Sequence, residues 1–97
     1  MEALRNYDLV KDGLYRAAKT VCTEHGTSLR RTVIEKMPNR SYQSVYGSLR
    51  NGNPSLAYLC EMCDALGVPI HEMLKRAADI IRGDIDRNGQ QAKASEA

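Results

Sequence analysis

Residues 27–55 read TSLRRTVIEKMPNRSYQSVYGSLRNGNPS, and the punctuation of this stretch decides the fold. Thr27 or Ser28 offers an N-cap, and Leu29, Val33, Ile34 and Met37 follow on the inner face of a short helix. Pro38 ends that helix, because the residue before a proline is pushed out of the helical region. Asn39-Arg40-Ser41 makes a tight connection, and Ser41 caps a second helix running to about Arg50. This helix puts Val45, with Tyr46, and Leu49 on one face. Gln43, Ser44, Gly47 and Arg50 stand on the other, which is small and polar. Asn51-Gly52-Asn53-Pro54 is dense in turn formers and breaks the chain again. A helix, a tight turn and a second short helix with a small polar outer face is the geometry that enters a major groove.

The same reading extends in both directions. From Tyr7 to Glu24 the apolar residues Leu9, Val10, Leu14, Ala17, Ala18, Val21 and Cys22 recur at three- and four-residue steps, one helical stripe. Gly26 is its left-handed stop. Downstream, Ser55 caps a helix carrying Leu56, Leu59, Cys60, Cys63 and Leu66, closed by Gly67. Pro69 fits the first turn of a fifth helix, striped by Ile70, Met73, Leu74, Ala77, Ile80 and Ile81. No alternation of period two appears. The sequence therefore predicts an all-α, compact five-helix domain over residues 7–82. From about residue 86 the chain is polar and small, with nothing to offset its ordering entropy, and a disordered tail over 86–97 is expected.

Composition narrows the class. Ninety-seven residues suit one domain, and 42% hydrophobic with 27% charged is ordinary for a globular chain. No apolar run approaches the ~20 residues that cross a bilayer, so no membrane partner is expected. Three cysteines and a start without an apolar signal core argue against a disulfide framework and for a cytoplasmic protein. The formal net charge is only +2, but it is unevenly spread. Residues 1–55 hold nine Lys and Arg against five Asp and Glu, and residues 56–97 hold five against seven. Between 25 and 55 five basic residues face Glu35 alone. A basic middle points to a polyanion.

Little else carries chemistry. Cys60-x-x-Cys63 has the spacing of half a zinc site, but there is no second pair to complete four ligands. On the helical reading both cysteines point inward beside Leu56, Leu59 and Leu66 as core residues. His25 and His71 lack a nucleophile and an orienting group, and Glu61 with Asp64 reads as a solvated face. No Gly-rich phosphate loop occurs. An enzyme, a metal, a cofactor and a small-molecule substrate are all unexpected.

The run from Asn53 to Pro69, NPSLAYLCEMCDALGVP, resembles the fourth-helix signature of the lambda-repressor-like, or Xre-type, helix-turn-helix family. Leu49-Arg50-Asn51-Gly52 is similar to the end of that family's recognition helix. The resemblance spans roughly Leu9 to Leu74 and implies five helices and a phage or bacterial transcription regulator that binds operator DNA as a dimer. It departs from the family at the second helix, which opens with Arg30, Arg31 and Thr32 instead of a phosphate-clamping Gln. Pro38-Asn39-Arg40 stands in place of the usual Gly-Val turn. Carried over by position, Ser41, Tyr42, Gln43, Ser44, Gly47 and Ser48 would face bases. Arg30, Arg31, Arg40, Arg50, Asn51 and Asn53 would lie along the phosphates, with Val45, Tyr46 and Leu49 toward the core.

The reading implied is a sequence-specific regulator of double-stranded DNA. The alternatives are a protein-interaction module, such as an antitoxin or adaptor on the same fold, and then RNA binding, for which Tyr42 is the one good stacking residue. A homodimer is expected on the fifth helix, where Met73, Ala77, Ile80 and Ile81 continue the apolar stripe beyond what the domain needs. The competing reading is that this stripe folds back on the first helix.

Overall fold

The computed structural model of the chain describes the backbone of residues 6–50 and 55–96 and the side chains of 6–50 and 55–87. These residues form five helices and no strand: α1 (Asn6–Glu24), α2 (Leu29–Lys36), α3 (Tyr42–Arg50), α4 (Leu56–Leu66) and α5 (Ile70–Glu96). The all-α, five-helix architecture expected from the sequence is the one observed.

The helix ends show why the boundaries are where they are. Ser28 Oγ accepts from the Arg31 N–H at 3.1 Å, and Ser55 Oγ accepts from the Tyr58 N–H at 3.4 Å. Each cap satisfies a backbone donor that the first turn leaves over. Gly26 and Gly67 sit at φ 72° and 71°. Around them the Thr27 N–H reaches the Cys22 carbonyl at 3.0 Å and the Val68 N–H reaches the Cys63 carbonyl at 2.9 Å. Both are Schellman stops, which need a left-handed residue and so favour glycine. Met37 ends α2 outside the helical region, directly before Pro38.

One apolar core draws on every helix: Leu14, Ala18 and Val21 of α1, Val33 of α2, Val45 and Leu49 of α3, Leu59 and Met62 of α4, and Met73 of α5. Thr32 is buried among them. Its hydroxyl donates to the Ser28 carbonyl at 2.8 Å, so it enters the core without an unpaired donor. Ile34, expected on the inner face with Leu29, Val33 and Met37, stands 57% exposed. A helix of eight residues buries only the narrow line Leu29–Thr32–Val33, and Ile34 falls beside it. Val10, Leu56, Ile70 and Leu74 likewise mark the exposed edges of stripes wider than the contacts they make. Cys63 is buried as expected, but Cys60 is exposed.

The longest seam joins α1 and α5, which run antiparallel: Arg76 grips Glu24 at 2.6 and 2.7 Å, and Arg16 meets Asp84 at 3.0 Å. The seam is tight because Gly13 has no side chain. A Cβ built there would lie 2.8 Å from Ile81 Cγ1 and 3.2 Å from the Ala77 carbonyl oxygen. This corrects the expected dimer surface. Met73 and Ala77 are buried in the chain's own core, and Ile80 and Ile81 are half-buried against it. The stripe continues past the other helices because α1 is long enough to cover it.

The chain expected to form a tail from residue 86 is backbone-helical as far as Glu96; its side chains from residue 88 lie outside the described residues. Once a helix is nucleated, each added residue costs little, and Gln90, Gln91, Ala92, Lys93 and Ala94 are good helix formers.

Candidate nucleic-acid interface

α3 is the hub of the candidate site, and its residues divide into three lines. Val45 and Leu49 are fully buried and bolt the helix to the core. Tyr42 and Tyr46, one turn apart, are half-buried and face α1: their rings are 5.5 Å apart, and Tyr46 meets Tyr15 edge-on at 6.0 Å and 83°. Gln43, Gly47 and Arg50, at i, i+4 and i+7, make the third line. Gln43 and Arg50 are exposed, and among the described residues a Cβ on Gly47 would meet nothing within 4 Å. This ridge is open to a ligand.

The other residues expected to face bases behave differently. Ser41 Oγ accepts from the Ser44 N–H at 3.1 Å and donates to Ser44 Oγ at 2.8 Å, so both hydroxyls help start the helix while remaining at the surface. Ser48 turns toward α4, where its hydroxyl accepts from the Ser55 N–H at 3.2 Å. It braces the approach to α4 instead of joining the open ridge. Tyr42 gives its ring to the aromatic cluster.

The basic residues also separate. Arg30 is exposed at the start of α2 and meets no carboxylate among the described residues. Arg31 beside it pairs with Glu35 at 3.2 Å, an exposed pair that water and salt weaken. Arg40 is more firmly held. It forks onto Glu61 of α4 at 2.9 and 2.7 Å and lies over the Tyr58 ring at 4.9 Å. Those hydrogen bonds, before any longer-range attraction, hold the Glu61 carboxyl below its ordinary value and the Arg40 guanidinium above its own. Arg40 therefore ties the turn after α2 to α4, beside an open groove of about 610 Å³ lined by Lys36, Met37, Glu61 and Asp64. Arg50 lies over the Tyr15 ring at 5.4 Å. Asn51 and Asn53 lie outside the described residues.

Sequence reasoning passed over the part that α1 plays. Lys11, Tyr15 and Lys19, four residues apart, make an edge of α1, and Tyr15 of that edge packs against α3. The spacing was visible, but nothing in the sequence joins that edge to a helix some thirty residues on. Of the cysteines, burial pushes the Cys22 and Cys63 thiols up, which keeps them protonated and unreactive. Among the described residues, no three His, Cys, Asp or Glu side chains gather where they could hold a metal ion. No helix among them is long and apolar enough to cross a membrane. No family model matches this chain, and neither does any curated protein or solved structure.

Proposed function

We propose that this chain is a sequence-specific regulator of double-stranded DNA, with α3 entering the major groove. The observation that carries the reading is the ridge Gln43–Gly47–Arg50, open along its length while the opposite face of the same helix is locked in the core. A reading helix has to be both rigid and bare. Gln43 offers a donor and an acceptor matched to an adenine edge, and Ser44 can bond either kind of base pair. Gly47 lets the helix axis come closer to the bases than any side chain would allow. Arg30, which meets no carboxylate among the described residues, supplies a charge for the phosphate backbone, and Arg31 one held by a weak surface pair.

Two copies would serve two half-sites about one turn apart, ~34 Å. With Met73 and Ala77 committed to the core, the large apolar side chains left exposed on α5 among the described residues are Ile70, Leu74 and Ile85, at 36%, 45% and 51%. Exposed Ile34 and Leu56 favour the second reading, a protein-interaction module of the antitoxin or adaptor kind.

Gel shifts against a library of genomic fragments at two salt concentrations separate these readings. The expected result is a retained subset of fragments whose affinity falls steeply with salt, by a slope of about 0.9 per phosphate neutralised. Gln43→Ala should then cost roughly 1–3 kcal/mol on the selected fragment and nothing on random DNA. Absence of retention, or a Gln43→Ala variant that selects the same fragment equally well, defeats the reading.

A further inference from the structure

Arg16, Arg31, Arg40, Arg76 and Arg87 each meet a carboxylate. Lys19 and Arg50 do not, among the described residues, and both are instead held by one aromatic ring. Lys19 Nζ and Arg50 Cζ each lie 5.4 Å from the centre of Tyr15. The two charges are therefore no further apart than twice that distance, a span that one or two neighbouring phosphates bridge.

The ring is a fixed mount. Tyr15 is half-buried and wedged edge-on against Tyr46, which is packed in turn on Tyr42. A cation over an aromatic face is attracted by the ring's quadrupole, but it keeps its full charge and its outward hydrogens. A carboxylate would have neutralised it. Two cations gathered on one ring repel each other, and an anion that meets both relieves that repulsion. Burial pushes the Tyr15 phenol up, so the ring brings no negative charge to compete with an incoming anion. Both cationic side chains are exposed, and Arg50 also belongs to the open ridge of α3.

We propose that Lys19 and Arg50, mounted on Tyr15, form a phosphodiester-binding site at the α1 edge of α3 that receives the DNA backbone while the ridge meets the bases. This rests on the reading of α3 as a duplex-binding helix and adds to it a residue of α1, Lys19, that the helix-turn-helix itself does not contain.

The test compares wild type, Lys19→Gln, Lys19→Arg and Arg82→Gln, each checked for its helical circular dichroism. Binding to the selected fragment and to a random duplex is measured across a salt series. Lys19→Gln should lower the slope of log affinity against log salt by about one on both duplexes, while Lys19→Arg and Arg82→Gln leave it unchanged. In parallel, titration of free protein with inorganic pyrophosphate should shift the NMR signals of Tyr15, Lys19 and Arg50 in wild type and not in Lys19→Gln. A wild type that binds duplex with a slope untouched by Lys19→Gln overturns the site and leaves the DNA reading standing. A wild type that binds no duplex, yet shifts at these residues with pyrophosphate, overturns the DNA reading and leaves the anion site.

Discussion

Gly13 of α1 and Gly47 of α3 both sit inside helices, and their surroundings are opposite. A single carbon added at Gly13 would stand 2.8 Å from Ile81, whereas one added at Gly47 would meet nothing within 4 Å. Glycine inside a helix costs roughly 0.5–1 kcal/mol relative to alanine, so each position needs a reason. At Gly13 the reason is internal: the missing side chain lets α1 and α5 close on each other. At Gly47 no neighbour among the described residues uses the space. The seam of α1 with α5 is a packed interior, and the ridge of α3 is a surface kept bare.

That contrast can be broken most forcefully on the seam side. Met73 is fully buried and Leu74, the next residue, is 45% exposed. Met73→Ala should cost about 2–5 kcal/mol of stability. Leu74→Ala should stay within about 0.5 kcal/mol in the monomer, as surface substitutions do. Urea denaturation of the two variants measures both, and equal losses would mean the seam is not where the chain's stability is concentrated. Next in size comes Gly13→Val. Its branched side chain would have to push Ile81 and the Ala77 carbonyl away, an overpacking cost of roughly 1–3 kcal/mol visible as a lower Tm.

Gly47→Ala sharpens the comparison with the opposite sign. With open space around it, the added methyl should raise stability by about 0.5–1 kcal/mol through helix propensity alone. The same methyl should weaken DNA binding if α3 approaches the bases closely. A variant that is both more stable and equally tight-binding would remove Gly47 from the interface. The smallest effect belongs to the exposed pair Arg40–Glu61. Because the Glu61 carboxyl is held below its ordinary value, the pair adds stability above the ordinary carboxylate range and loses it as pH falls through the depressed value. Glu61→Gln should therefore lower stability slightly at neutral pH, converge with wild type in acid, and so flatten the acid side of a stability-against-pH curve measured by urea denaturation.

Much of the fold was legible because helix boundaries are local chemistry. Ser28, Ser55, Gly26, Gly67 and Pro38 act within one turn of their own positions, and the structure uses each of them at the end it marks. The candidate ridge on α3 was legible for the same reason, since Val45 and Leu49 at four-residue spacing settle which way the helix faces. What misled was polarity taken as position. Thr32 is inside and Ile34 outside, because the Thr32 hydroxyl is satisfied by the Ser28 carbonyl one turn back. Cys60 followed the apolar stripe in sequence but lies at its exposed edge.

By itself, then, the sequence determined the number, the order and most of the ends of the helices, together with the bare polar face of α3. Each of these follows from hydrophobic period and from capping residues acting over a few positions. Only the tertiary structure decided which surfaces are left over. Whether Met73, Ala77, Ile80 and Ile81 face a partner or their own chain depends on how closely α5 approaches α1, and that approach depends on Gly13, some sixty residues earlier in the sequence. Which cations are free depends likewise on contacts between distant helices: Glu61 of α4 takes Arg40, whereas Tyr15 of α1 holds Arg50 without neutralising it. Charge and apolar stripes are written along the chain, but what meets them is settled in three dimensions.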